Sequence, residues 1–186
     1  MEQKIFNLNE RIENLQKKAA NSLCSLMLIF EKIFRDIEVN VNYRIKTRES
    51  IIRKCGAKNL HPEDLTDILG IRLIGKTKDF VKILRKIFHN FNVKSIEDFW
   101  FHPTNLGYRS LHLLVKVGGL IVELQIHTAV SSAFALLCHE FYKGNKELKN
   151  IENLVLVLRK NLESEAKKVN FDHLNLLKCG NRELEK

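Results

Sequence analysis

The sequence predicts an α/β (α+β) fold: a mixed sheet of about five strands flanked by helices. Three observations predict it. Apolar residues recur every three or four positions in long runs near both ends of the chain, which marks helices that must pack on something. Period-two alternation over VNVNYRIK and on both sides of Gly118-Gly119 marks a strand and a hairpin. Helical and strand patterns then alternate through the middle of the chain, which calls for layers around one sheet. At 186 residues, 45% hydrophobic and 28% charged, there is material for one well-buried core. We expect a single domain with an N-terminal helix over 1–38, a central core over 39–145 and a helical tail over 146–186.

The elements follow in order. Residues 2–37 read as one long helix, with Ile5, Leu8, Ile12, Leu15, Ala19, Leu23, Leu26, Phe30, Ile33 and Ile37 on its stripe and no Gly or Pro inside. Over 39–46 the alternation sets Asn40, Asn42, Arg44 and Lys46 on one strand face and Val39, Val41, Tyr43 and Ile45 on the other. Thr47 is a plausible N-cap for a short helix to Cys55 carrying Arg48, Arg53 and Lys54, and a strand end feeding a helix N-terminus is a place for phosphate oxygens. Asp67–Gly75 reads as a buried strand with Asp67 at its entrance and Arg72 in its middle; neither charge belongs in an apolar core without a partner. A helix is expected over 77–91, a strand over 92–101 and a helix over 129–143, with Phe134, Leu137, Phe141 and Tyr142 in the core and His139 ambiguous. The tail over 146–178 carries Ile151, Leu154, Val155, Leu158, Leu162 and Val169 as a further stripe.

Lys plus Arg exceed Asp plus Glu by 31 − 22 = 9, a surplus that favours polyanionic ligands such as nucleotide phosphates or RNA over acidic lipid surfaces. Cys24, Cys55, Cys138 and Cys179 show no C-x-x-C spacing, so neither a zinc site nor a disulfide framework is suggested, and a cytoplasmic setting is expected. No signal or transit peptide and no apolar run of membrane-spanning length is read from the sequence.

The chemistry is expected in Leu106–Thr128. In the second hairpin strand Val122, Leu124 and Ile126 share one face and Glu123, Gln125 and His127 the other. A carboxylate, an amide and an imidazole in a row face either solvent or a site. Ser110 and His112 share a face on the first strand, and Gly107-Tyr108-Arg109 before it supplies a turn, an aromatic plate and a cation.

Taken together, Tyr43-Arg44-Ile45-Lys46 with Glu49-Ser50-Ile51, Asp67-Ile68-Leu69-Gly70-Ile71-Arg72, Gly107-Tyr108-Arg109-Ser110-Leu111-His112 and Val122-Glu123-Leu124-Gln125-Ile126-His127-Thr128 resemble, in that order and at those spacings, the synthetase domain of the Rel/Spo alarmone synthetases. The resemblance covers about Asn40 to Lys143 and is to the small, stand-alone members; no histidine is followed by Asp, so the family's hydrolase half is not expected. It implies a nucleotidyltransferase-like synthetase fold. The implied activity is that of a GTP/GDP pyrophosphokinase, which moves pyrophosphate from ATP to the 3′-hydroxyl of GDP or GTP to make the stringent-response alarmones. Asp67 and Glu123 match the pair that holds Mg²⁺, Glu123 also being the proton acceptor. Arg44, Lys46, Ser50, Lys54 and Arg72 match the ATP side, and Tyr108, Arg109, His112 and Gln125 the acceptor side, with Tyr108 stacking on guanine. A homo-oligomer is also implied, the small members often being tetramers.

The sequence departs from the family's usual pattern where Thr104-Asn105-Leu106 replaces Lys-Pro-Asn, His127 stands for Arg, Phe134 for Trp and Cys138 for Glu. The departures cluster on the acceptor side. Two other readings therefore stay open beside the first: a toxin-like relative that pyrophosphorylates the 3′ end of tRNA, supported by the surplus charge, and a non-catalytic RNA-binding regulatory module.

Overall fold

The fold was obtained as a computed structural model that describes residues 2–142 and 152–169, with side chains over 7–138 and 153–169. The order is α1 (Glu2–Ile33), β1 (Val39–Ile45), α2 (Arg48–Lys58), β2 (Leu69–Gly75), α3 (Phe80–Asn90), β3 (Val93–Asp98), β4 (Leu111–Val117), β5 (Leu120–Thr128), α4 (Ala129–Tyr142) and α5 (Glu152–Lys168). The five strands form one mixed sheet in the order β1-β2-β5-β4-β3, with β2 and β5 parallel and the other pairs antiparallel.

The turn between β4 and β5 is Gly118-Gly119 at φ 55° and 80°, both in the left-handed region that a two-residue hairpin turn requires and that glycine adopts without a steric cost. That turn sets the register. Leu69, Ile71 and Leu73 on β2 stand beside Val122, Leu124 and Ile126 on β5, which stand beside Val115, Leu113 and Leu111 on β4. All nine are buried, and Ile12, Leu15, Leu26 and Phe30 of α1 and Ile83, Leu84 and Ile87 of α3 join them in one core. Each fully buried aliphatic side chain contributes on the order of 1.5–3 kcal/mol, so this face carries the stability of the sheet. The opposite face carries the polar residues of these strands beside Ile74, Leu114 and Ile121, and α4 packs on it against β5 and β2.

Boundaries differ from the sequence expectation in physically simple ways. Helix α1 stops at Ile33, because Phe34 turns back into the core and Ile37 closes on it through a backbone bond to Phe34. Helix α2 begins at its Thr47 cap, whose hydroxyl accepts from the Ser50 amide, and continues through Gly56 to a left-handed Asn59. Asp67 lies two residues before β2, in the approach to the strand rather than on it. Of the expected tail, α5 is described from Glu152 to Lys168, with Leu162 and Val169 buried. Ile5, His139, Phe141, Tyr142 and Ile151 lie outside the described side chains. Among the described residues no helix is long and apolar enough to cross a membrane.

Candidate active site

The polar sheet face follows from the same register that builds the core. Arg44 on β1 pairs with Gly70 on β2, which pairs with Glu123 on β5; Asn42, Arg72, Gln125 and His112 form the next row. Period two forces all of these to one side. Gly70 keeps the middle of the first row open: a Cβ there would stand 3.5 Å from Arg44 Nε and 3.7 Å from a Glu123 carboxylate oxygen. A cation and a carboxylate therefore approach each other over bare backbone.

Asp67 is held by two lysines. Lys46, just past the end of β1, and Lys54, one turn from the end of α2, both donate to its Oδ2, the latter at 2.7 Å. Burial would raise the Asp67 carboxyl, but the two lysine bonds outweigh it and hold the group below the usual carboxylate range. Burial also lowers Lys46, against the contrary pull of Asp67. The other carboxylate oxygen, Oδ1, is buried with no hydrogen-bond partner among the described residues. Helix α1 braces this corner, Gln16 donating to the Lys46 carbonyl at 2.9 Å and Arg48 to Asn9 at 2.6 Å.

Glu123 is flanked by His112 Nδ1 at 3.3 Å and by the Gln125 amide at 3.2 Å. Burial acts to raise its carboxyl; contact with His112 more than reverses this, and Asp67 pushes the other way by like charge, which places the two carboxylates within each other's field. Arg72, lowered by burial, donates to Gln125 Oε1 at 3.3 and 3.4 Å and to Ser132 of α4 at 3.5 Å.

Two cavities open here and share Arg44. One, of about 520 Å³, lies at the start of α2 and is lined by Lys46, Thr47, Ser50, Arg53 and Lys54. The other, of about 450 Å³, has Asn42, Arg72, Tyr108 and Gln125 on one side and Thr104, Leu106, Leu136 and Cys138 on the other. The sequence-predicted ATP residues thus fall at the first cavity, apart from Arg72. Tyr108, Gln125 and Arg72 fall at the second, and His112 touches Tyr108. Arg109 does not join them: its guanidinium turns away and donates to the Trp100 carbonyl oxygen. Thr104, standing where a lysine was expected, closes the loop instead, its hydroxyl accepting from the Tyr108 amide at 3.3 Å.

Three participants were not singled out from sequence. Asn42 was legible, since alternation put it on the Arg44 face. Ser132 and the Leu106-Leu136 wall had no local signal, because each depends on how α4 and the 104–108 loop pack. His127, read as facing solvent or a site, is instead fully buried under α4, its Nδ1 2.9 Å from Ser131 Oγ and its Nε2 with no hydrogen-bond partner among the described residues. Burial, with Arg72 and His112 adding, pushes His127 down to about 3. The sign is then fixed: the unfolded state takes up a proton below about 6.5 and the folded state does not, so stability is full above that pH and falls as pH drops toward 3. We expect a loss of about 1.4 kcal/mol per pH unit from this group below 6.5, read as the urea midpoint at pH 6.5, 6 and 5. His127→Gln should flatten that dependence. Parallel curves for the two proteins would show that His127 is not its source.

An open polar sheet face with carboxylates between cations, on this strand order, places the molecule in the fold class of the solved alarmone synthetases. A GTP pyrophosphokinase family protein from Streptococcus pneumoniae superposes with a TM-score of 0.67 at 21% identity, over 92% of this chain and 95% of that one. The small alarmone synthetase 1 of Bacillus subtilis bound to its product pppGpp does so at 0.62 and 22% identity, over 95% and 98%. At such identities the likeness is one of fold. In sequence, a probable guanosine-3′,5′-bis(diphosphate) 3′-pyrophosphohydrolase of Mycoplasma genitalium is 35% identical over 117 residues, 60% of this chain and 16% of that protein. The chain spans between 12% and 26% of the length of the curated relatives it matches. The family model described as the region found in RelA / SpoT proteins matches residues 43–147, and the chain belongs to that family.

Proposed function

We propose that this protein transfers pyrophosphate from ATP to the 3′-hydroxyl of GDP or GTP. The observation that supports this best is the pair of cavities meeting at Arg44, a basic groove and a cavity holding Tyr108, with Glu123 and Arg44 approaching over Gly70 and Asp67 held by Lys46 and Lys54 of the groove. The acceptor's 3′ oxygen attacks the β-phosphorus of ATP. The bond from that phosphorus to the oxygen bridging to the α-phosphate breaks, AMP leaves with that oxygen, and the acceptor's proton passes to Glu123. Lys46, Lys54 and Arg44 neutralise the donor phosphates, the lysines exchanging Asp67 for phosphate oxygens.

The residues fit Mg²⁺. Asp67 Oδ1 is a buried anionic oxygen with no partner among the described residues, and Glu123 would supply a second hard oxygen donor. Among the described residues no three His, Cys, Asp or Glu side chains converge, so Asp67 and Glu123 would hold such an ion together with oxygens from outside the protein, substrate phosphates and water. Bound there, Mg²⁺ supplies charge stabilisation at the phosphate oxygens.

Tyr108→Ala should raise the KM for the guanine nucleotide by roughly tenfold or more, for about 1–3 kcal/mol of lost stacking, and change ATP affinity little. The direct test is purified protein with labelled ATP, Mg²⁺ and either GDP, GTP or tRNA. A specific observation keeps a second acceptor in view. The acceptor side is walled in part by Thr104, Leu106, Leu136 and Cys138, and Arg109 is turned away, so among the described residues the cavity's cations are Arg72 and Arg44, the latter shared with the donor groove. Under the tRNA reading, transfer falls steeply with salt and free GDP neither reacts nor competes. Label on tRNA with none on GDP or GTP across a range of Mg²⁺ would reject the first reading. The non-catalytic reading falls if either acceptor is labelled.

We also propose self-association, a tetramer being the form the resemblance implies. An apolar groove of about 820 Å³ runs between α1 and the edge strand β1, lined by Leu23, Met27, Phe30, Phe34, Val39 and Val41, and Leu28 beside it is 69% exposed. Light scattering at micromolar concentration should report a multiple of the chain mass; a single-chain particle would contradict it.

A further inference from the structure

The surroundings of Glu123 contain a chain of polar contacts that the transfer chemistry above does not use. Ser110 Oγ donates to the Tyr108 hydroxyl at 2.8 Å, that hydroxyl stands 2.7 Å from His112 Nε2, and His112 Nδ1 stands 3.3 Å from Glu123 Oε1. The members come from the loop before β4, from β4 and from β5. Phe99 fixes the geometry from the side, its ring meeting His112 edge-on at 5.1 Å and Tyr108 at 5.9 Å between centroids.

Counting hydrogens assigns the direction of each bond. An ionised carboxylate only accepts, so Nδ1 must carry the proton it shows to Glu123. Ser110 gives its hydrogen to the Tyr108 oxygen, which leaves the phenol's own hydrogen for Nε2, and Nε2 takes it only when bare. Every donor in the chain then has one acceptor. The reverse tautomer would set a bare Nδ1 against carboxylate lone pairs, with no hydrogen between them. Burial keeps the phenol protonated by raising it further above its ordinary value. Glu97 also faces Nδ1, but at 3.9 Å and from an exposed position. Gln125 holds the second carboxylate oxygen of Glu123 at 3.2 Å. A carboxylate offers about four lone-pair sites, so further ones remain beyond these two contacts.

We propose that the Tyr108 hydroxyl, anchored by Ser110, fixes His112 as the Nδ1–H tautomer, and that His112 is thereby the positioning residue that aims Glu123 at the acceptor hydroxyl. Tyr108 then has two separable tasks, its ring serving the acceptor base and its hydroxyl the orientation of the proton acceptor. The second task rests on the transferase reading given above; the tautomer assignment does not.

Tyr108→Phe separates the tasks, because it keeps the ring. We expect kcat to fall by about tenfold or more with the acceptor KM within about threefold of wild type. His112→Asn retains an N–H for Glu123 without needing the phenol, so it should keep more activity than His112→Ala. In the His112→Asn background, Tyr108→Phe should cost less than about twofold, the non-additivity expected of residues acting in series. Imidazole ¹⁵N NMR of the resting protein reads the tautomer with no turnover: Nε2 should be the bare, hydrogen-bonded nitrogen in wild type, and Tyr108→Phe should shift that signal. A protonated Nε2 in wild type, an unmoved signal, a wild-type kcat for Tyr108→Phe, or additive effects would each overturn the proposal. The expected NMR shift in a protein that transfers pyrophosphate to no acceptor would uphold the tautomer and reject both the transferase reading and the role of His112 in aiming Glu123.

Discussion

Glu123→Gln should lower pyrophosphate transfer by about 10²- to 10⁴-fold, the range that a positioned proton acceptor contributes, while leaving the fold intact. The substitution preserves shape. Its amide oxygen can still accept from one of the two donors, Gln125 or His112, and the buried core on the reverse of β5, formed by Val122, Leu124 and Ile126, is untouched. What it removes is the charge that His112 holds in the ionised form and the only basic atom over Gly70 on that strand row. Circular dichroism and the denaturation midpoint check the fold, and initial rates with labelled ATP check the chemistry. Turnover within tenfold of wild type would assign the proton transfer elsewhere.

Asp67→Asn should be nearly as damaging to transfer, by roughly 10²- to 10³-fold for the loss of one preorganised electrostatic partner, and should also weaken folding. The second effect comes from Lys46. With a side chain 11% exposed, it is paired to Asp67, and a neutral amide leaves its ammonium buried with less compensation. Breaking a fully buried pair costs about 3–5 kcal/mol. The loss here belongs at or below the lower end, because Asp67 also serves Lys54, which is 30% exposed and free to reach water. The two effects separate in a thermal-shift experiment: Mg²⁺ with a non-hydrolysable ATP analogue should stabilise wild type and fail to stabilise the variant. An Asp67→Asn protein with near wild-type rates at saturating Mg²⁺ would remove Asp67 from the metal site.

Much of this site was legible before any coordinates. Strict alternation in β1 and β5 assigned Arg44 and Glu123 to faces, and the structure sets them over the same glycine, because period two leaves a strand residue only two directions. The Gly118-Gly119 turn was equally readable. The expectation for Arg109 did not translate into a place at the cavity, and nothing local could have shown this: its guanidinium finds the Trp100 carbonyl, a backbone group brought near by the turn after β3. Thr104 reads as a lost cation in sequence and as a loop-closing hydroxyl in structure.

By itself, the sequence determined the element order, the five strands, the two faces of each and the pairing of a basic strand-to-helix corner with acidic residues. These are consequences of periodicity and turn chemistry, which act over a few neighbouring residues. Only the tertiary structure decided that β2 lies parallel to β5, so that Asp67, placed just before β2, comes into the field of Glu123 some fifty residues away. It also decided that His127 goes under α4 while Gln125 and Glu123, two and four positions earlier on the same face, stay partly exposed, Gln125 lining the cavity that holds Tyr108. That division depends on how far along the sheet α4 reaches. Helix packing against a sheet is set by the summed burial of many distant side chains, and no local pattern in β5 records it.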